Sequence, residues 1–165
     1  MKIGAFVPQG WRMDLNDLTP SEEWNMIINS AKKIEEYGYE SLWVYDHFHT
    51  VPSPSIQPTY ECWSLMSALS QQTSTIRLGQ MCTCNSYRNP SYLTKVASNI
   101  DVMSNGRLEF AIGAGWYDQE YKSYGFDDLH RYLNEKIAEI FPGEGVSIRT
   151  LRDDIKLFRD KKNGF

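Results

Sequence analysis

Four β-type runs begin near residues 2, 40, 76 and 107, and a helix-type pattern fills each gap between them. The spacing of 31–38 residues is that of one strand plus a crossover helix. Strict alternation of this kind predicts an α/β fold with a parallel sheet and right-handed crossovers. Two architectures share the pattern, a doubly wound open sheet and part of a (β/α)8 barrel. A whole barrel needs about 250 residues. At 165 residues the chain has room for four βα units and an extra segment, which is half a barrel.

The local signals are sharp. Lys2 to Val7 reads as a strand that stops at Pro8-Gln9-Gly10. Thr19 is a candidate N-cap, Pro20 takes the first helical position, and Glu22 stands in capping-box register. Trp24, Ile27, Ile28, Ala31 and Ile34 recur at helical spacing until Gly38. The continuous run Leu42-Trp43-Val44-Tyr45 reads as a strand buried on both faces. After the proline-rich loop Thr50 to Pro58, Thr59 can cap a helix carrying Trp63, Leu65, Met66 and Leu69. Ile76 to Cys82 is the third strand. Asn89-Pro90 opens the third helix, with Leu93, Val96, Ala97, Ile100 and Met103 inward. Arg107 to Gly113 is the fourth strand.

Asp127 to Ile140 is amphipathic and charged, Phe141 to Gly145 breaks it, and Ser147 to Lys162 reads as a final helix. The expected organisation is one incomplete barrel domain over 1–165. Within it, 1–127 forms the half-barrel, 128–140 an inserted helix near the C-terminus, and 141–165 the fourth helix region.

Composition excludes several classes. Net charge is −4, against nucleic-acid binding through a broad basic surface. No apolar run approaches the roughly 18 residues of a membrane span, and Met1 to Pro8 is too soon broken for a signal peptide. Cys62, Cys82 and Cys84 do not make a secreted disulfide framework, so a cytoplasmic setting is expected. The partner expected is a small-molecule substrate, without nucleic acid or membrane.

In parallel α/β folds, function collects at the carboxyl ends of strands. Here those ends carry Pro8-Gln9-Gly10-Trp11, Asp46-His47-Phe48-His49, Cys82-Thr83-Cys84-Asn85 and Gly113-Ala114-Gly115-Trp116. Asp46 and His47 could serve as an acid–base pair or equally well cap and pack a turn. His47 and His49 alternate as two metal ligands would, and with Asp46 they open the reading of a metal-dependent hydrolase. Further ligands are lacking, since His130 is the remaining histidine, so no metal is expected. The Gly113-Ala114-Gly115 pair lacks the third glycine of a dinucleotide fingerprint. Arg88 suits a phosphate or carboxylate ligand, or an acidic neighbour.

Longer segments are more specific. Leu42 to Phe48, Leu78 to Pro90, Ala97 to Glu109, Gly113 to Tyr117, and Glu120-Tyr121 with Gly125 resemble, in order and spacing, the bacterial luciferase-like monooxygenase superfamily. The resemblance is strongest to its branch using the deazaflavin coenzyme F420, and it covers about residues 1–127. It implies a partial (β/α)8 TIM barrel with the cofactor ring at the strand carboxyl ends. It implies a cis peptide at Met81–Cys82 supporting that ring. It places Asp46 and His47 at the reactive edge as the catalytic pair, and Met81, Cys82, Thr83, Asn85, Gly113, Ala114, Gly115 and Trp116 around the ring or its polyol tail. The expected cofactor is coenzyme F420 in preference to FMN. The expected reaction is hydride transfer to or from a small organic substrate, or monooxygenation with FMN and oxygen.

The second half of the barrel is not in the sequence, and the expectation is a truncated member. A half-barrel leaves sheet edges and an apolar face to be covered. A homodimer, a separately encoded second-half chain, or a truncated product with a flattened fold are the routes available. A non-catalytic flavin-binding remnant is the alternative to an active enzyme.

Overall fold

The computed structural model describes residues 2–126. The chain falls into two compact units, Met1–Gly113 and Ala114–Phe165. The expectations for 128–140 and 141–165 lie outside the described residues.

In the first unit, β1 (Gly4–Phe6) is followed by α1 (Pro20–Glu36), β2 (Ser41–Val44), α2 (Cys62–Gln72) and β3 (Arg77–Gln80). Then come β4 (Thr83–Cys84), α3 (Pro90–Met103), β5 (Leu108–Glu109) and β6 (Ile112–Gly113). The main sheet has the order β1-β2-β3-β5, and every pair in it is parallel. Each crossover therefore steps to the next strand in the same direction. A doubly wound sheet reverses direction at a switch point, so the order is that of a partial (β/α)8 barrel.

Two helix starts follow their sequence signals. Thr19 and Glu22 form a reciprocal capping box ahead of Pro20. Asn89 Oδ1 accepts the N–H groups of Ser91 and Tyr92 at 2.9 and 3.3 Å, with Pro90 first in α3. The start of α2 differs from expectation. Its cap is Glu61, whose carboxylate accepts the N–H groups of Trp63 and Ser64 at 3.1 and 2.7 Å, and not Thr59. The Tyr60 N–H is bound to the Gln9 carbonyl at 3.0 Å, which ties this stretch to the end of β1 and delays the helix by two residues.

The core lies on one side of the sheet. Leu42, Val44 and Leu78 are fully buried there with Ile27 and Ala31 of α1, Leu65, Met66 and Leu69 of α2, and Leu93 and Ile100 of α3. Met103, expected inward, is half-exposed because it is the last residue of α3. The run Leu42 to Tyr45 is fully buried on one face alone. Trp43 and Tyr45 alternate onto the other face and stay half-buried. There the Trp43 indole lies against Gly4 and Gly79. A Cβ on Gly79 would stand 2.4 Å from Trp43 Cζ3, and the indole Nε1 donates to Ser41 Oγ at 2.9 Å.

The fourth strand is split where continuity was expected. β5 pairs with β3, the chain breaks at Phe110-Ala111, and β6 pairs with β4 in a second two-stranded sheet. The break matches one on the neighbouring strand, where the Met81–Cys82 peptide is cis and separates β3 from β4. The two strands thus shift together, and the Thr83 N–H resumes pairing on the Ala111 carbonyl at 2.9 Å.

At the amino end of the sheet, loops are pinned by two charged side chains. Glu35 Oε1 accepts the N–H groups of Ser74, Thr75 and Ile76. Arg107, buried, donates to the carbonyls of Ser70, Thr73, Ile76 and Ser104. In the second unit, α4 (Asp118–Tyr124) is a short helix without a side-chain cap, ending at Gly125 with φ 71°. Among the described residues, no helix is long and apolar enough to cross a membrane.

Candidate functional site

Parallel strands deliver their carboxyl ends to one edge, and buried amides and aromatics align them. Gln9, just past β1, donates Nε2 to the carbonyls of Tyr45 and Tyr60 and accepts the Tyr45 N–H, each at 2.7 Å. The ends of β1 and β2 are thereby held level. An aromatic row crosses them: Phe6 stacks on Tyr45 at 4.3 Å, Tyr45 meets Trp11 at 4.0 Å, and Trp11 stacks flat on the His47 imidazole at 4.5 Å. Burial lifts the Tyr45 phenol above its usual range.

Asp46 leaves the end of β2 in the opposite sense and enters a buried web. Its Oδ2 accepts the Cys84 N–H at 2.7 Å and Arg88 Nη1 at 2.6 Å. Its Oδ1 accepts Arg88 Nη2 at 2.8 Å and the Cys62 thiol at 3.2 Å. Arg88 Nη2 also reaches Glu61 Oε1 at 2.6 Å. Side-chain exposure is 1% for Asp46, 10% for Arg88 and 32% for Glu61. Burial would lower the Arg88 pKa, but the bonds and charge of Asp46 outweigh it and raise the value. Burial would raise Glu61, and the bonds from Ser64, Trp63 and Arg88 hold its carboxyl below the usual range. Burial and the Asp46 carboxylate push the Cys62 thiol well above the ordinary thiol range.

Of the two readings of Arg88, the acidic-neighbour one is realised. Glu61 and Cys62 were not singled out from the sequence. Glu61 carried a usable signal, an acidic residue immediately before an apolar helix. Cys62 carried none.

Met81 and Cys82 are exposed at the end of β3, Met81 by 47%. Thr83 is buried, and its hydroxyl donates to Gln80 Oε1 at 3.1 Å. Asn85 is exposed, its N–H on the Gly113 carbonyl at 2.8 Å. A Cβ on Gly113 would stand 3.3 Å from the Cys82 Cβ, a tight contact that a side chain could make only if Cys82 shifted by a few tenths of an ångström. The structure thus brings Cys82, Asn85 and Gly113 to one strand-end neighbourhood, and ties Asp46 to the adjoining Cys84. Ala114, Gly115 and Trp116 belong to the second unit. There the Ala114 carbonyl accepts the Tyr121 hydroxyl at 2.8 Å, Gly115 has φ 80°, and Trp116 stacks on Tyr117 at 5.3 Å.

Ligand-type atoms of Asp46, Glu61 and Cys62 converge within 4.8 Å, without His47 or His49. The Arg88 guanidinium bonds both carboxylates, and the thiol is held protonated. This is an ion-pair cluster already supplied with its cation. A cavity of about 430 Å³ opens between α2 and α3, lined by Phe48, Trp63, Tyr92 and Met103 and by Arg88 and Glu61. None of Met81, Cys82, Thr83, Asn85 or Gly113 lines it.

Comparison with known proteins joins this geometry to a family. Pyrimidine monooxygenase RutA of Yersinia enterocolitica is 27% identical over 161 residues, covering 89% of this chain and 44% of that protein. A solved F420-dependent secondary alcohol dehydrogenase, in complex with an F420-acetone adduct, is 26% identical with a TM-score of 0.55. It covers 69% of this chain and 32% of its own. The oxygenating constituent of 3,6-diketocamphane monooxygenase from Pseudomonas putida, in complex with FMN, has the same fold at 19% identity and a TM-score of 0.62. It covers 80% of this chain and 37% of its own, so the chain spans well under half the length of these relatives. The luciferase-like monooxygenase profile matches residues 1–140, most of the sequence. With a parallel half-barrel and the polar strand ends in place, the chain belongs to the luciferase-like monooxygenase family.

Proposed function

We propose that this chain acts as a flavin-type oxidoreductase, with coenzyme F420 preferred over FMN, on a small organic substrate. The observation that carries the reading is the set of three polar strand ends, at Asp46-His47, Met81-Cys82 and Gly113, delivered by parallel strands, the first two following β2 and β3 of the main sheet and the third in β6, paired with β4. The F420-dependent dehydrogenase and the RutA monooxygenase among the relatives support the same chemistry.

The residues present fit a planar ring. Met81 and Cys82 are exposed beside Gly113, and a side chain at 113 would fill the space next to Cys82. When bound, the ring would accept or donate a hydride, or as reduced FMN activate oxygen. The remaining tasks fall to the protein. Met81 and Cys82 would support the ring, with Asn85 and Gly113 beside it, while Thr83, buried and bonded to Gln80, would hold the strand behind them. The resemblance adds Ala114, Gly115 and Trp116 to the same task. His47 would handle the proton, since an imidazole can both donate and accept one. Its flat contact with Trp11 fixes the plane of the imidazole. Asp46 completes the polar pair.

Titration of the 165-residue protein with F420 and with FMN, followed by ring fluorescence, tests the proposal. Saturable, stoichiometric binding of one ring is expected. Hydride transfer by the bound protein is then expected to be abolished in His47→Ala with binding retained. Folded protein that binds neither ring overturns the reading.

A further inference from the structure

We infer that Arg88 is a positioning residue that acts through Asp46. Together they hold the Thr83–Cys84 backbone beside the proposed ring site, and Asp46 serves as a fixed acceptor while His47 alone handles protons. This rests on the proposed function for its relevance to the ring, but the anchor itself can be tested without any cofactor.

The argument starts from acceptor capacity. A carboxylate offers about four lone-pair directions. Asp46 receives four donors: Arg88 Nη1, Arg88 Nη2, the Cys84 N–H and the Cys62 thiol. Its side chain is 1% exposed. To exchange a proton with a substrate it would have to release one of these donors inside a buried site, where a donor left unpaired is costly. His47 follows it in the chain and stacks flat on Trp11. Adjacent residues at the end of an extended strand point to opposite sides. The two members of the expected acid–base pair therefore have different surroundings and different roles.

The guanidinium sets the geometry. Its fork fixes both carboxylate oxygens, and Nη2 extends the bond to Glu61, the N-cap of α2. One side chain thus ties the end of β2, the start of α2 and, through Asp46, the backbone of β4. β4 immediately follows Met81–Cys82 and pairs with β6, which ends at Gly113. The positions proposed to cradle the ring are suspended from this bond. A lysine would keep the charge and lose the fork.

Arg88→Lys and Asp46→Asn test the inference, with amide hydrogen exchange as the first readout. Cys84 exchange is expected to quicken by about tenfold or more in both variants. Exchange at Leu78, in the core of β3, should quicken clearly less than at Cys84. The second readout is the dissociation constant for F420 or FMN, expected to rise to a similar extent in both variants. Where turnover is measurable, the pH profile should keep the wild-type limbs. Unchanged Cys84 exchange overturns the inference. So does equal acceleration at Leu78, which would mark general destabilisation. A loss of turnover and of a pH limb in Asp46→Asn, with Arg88→Lys intact, would make Asp46 a proton carrier and overturn it too. If either single variant does not fold, the uncharged double variant Asp46→Ala with Arg88→Leu carries the exchange test with the same expectation. If the wild type binds neither ring, the proposed function falls, and Cys84 exchange still decides the anchor.

Discussion

Arg88 and Asp46, 42 residues apart in the chain, form a two-pronged pair with Nη1–Oδ2 at 2.6 Å and Nη2–Oδ1 at 2.8 Å. Removing one member of such a buried pair leaves the other charge uncompensated, at a cost of about 3–5 kcal/mol. Arg88→Ala and Asp46→Ala should each lose stability on that scale in urea denaturation. The double variant should lose much less than the sum, because neither charge is then stranded. Additive losses would show that the two groups act independently.

Two glycines predict contrasting outcomes. A Cβ on Gly10 would stand 1.9 Å from the Pro58 carbonyl oxygen, at a φ of +92°. The obstacle is backbone, so Gly10→Ala should strongly destabilise the protein, and no side-chain change nearby should restore it. A Cβ on Gly79 meets the Trp43 indole instead. Gly79→Ala should cost about 1–3 kcal/mol, as overpacking does. Adding Trp43→Leu should recover much of that loss, as read by thermal unfolding. Failure of Trp43→Leu to help would show that the indole is not the obstacle.

Stability should fall with acid partly through Glu35. Burial would raise its pKa, but the N–H groups of Thr75, Ile76 and Ser74 outweigh that and lower it. A lowered folded pKa contributes stability that is fully present above the unfolded carboxyl value of about 4.3. It is lost as pH falls through the lower folded value. Glu35→Gln should therefore be less stable than wild type at pH 7, by about 1 kcal/mol for the lost charge-assisted bonding. The gap should close as pH falls through that lowered folded value. A gap constant across that range would mean that the charge of Glu35 contributes nothing.

Thiol reactivity should separate the three cysteines. Cys82 is exposed, while Cys62 and Cys84 are buried. The Cys62 thiol is additionally pushed up by burial and by Asp46, which suppresses the reactive thiolate. The native protein should release one equivalent of chromophore rapidly with an aromatic disulfide reagent, and the other two on unfolding. Cys82→Ser should remove the fast phase. A second fast thiol in the native state would contradict the described burial.

Residues close in sequence announced most of the secondary structure. Thr19 with Glu22, and Asn89 with Pro90, mark their helix starts because a cap bonds within three residues of itself. The alternation of strands and helices announced the parallel sheet, and the long motifs announced the family. The start of α2 was misplaced because a contact from Gln9, 51 residues before Tyr60, holds the segment that precedes it. The split of the fourth strand was not legible because it answers a break in a different strand. At the site, the strand ends were legible as polar clusters, whereas the partners of Asp46 were not.

The amino-acid sequence by itself determined the periodicities, the caps and the set of polar residues that strand ends would carry, since these depend on neighbours along the chain. Tertiary structure decided which oxygen meets which donor. Asp46 and His47 are adjacent and chemically similar in promise, and folding sends one into a buried ion-pair web and the other onto Trp11. The physical reason is the strand itself. Alternation places successive side chains on opposite sides, and only the packed neighbours on each side, contributed by Arg88, Cys84 and Cys62 on one and Trp11 on the other, determine what each group can do.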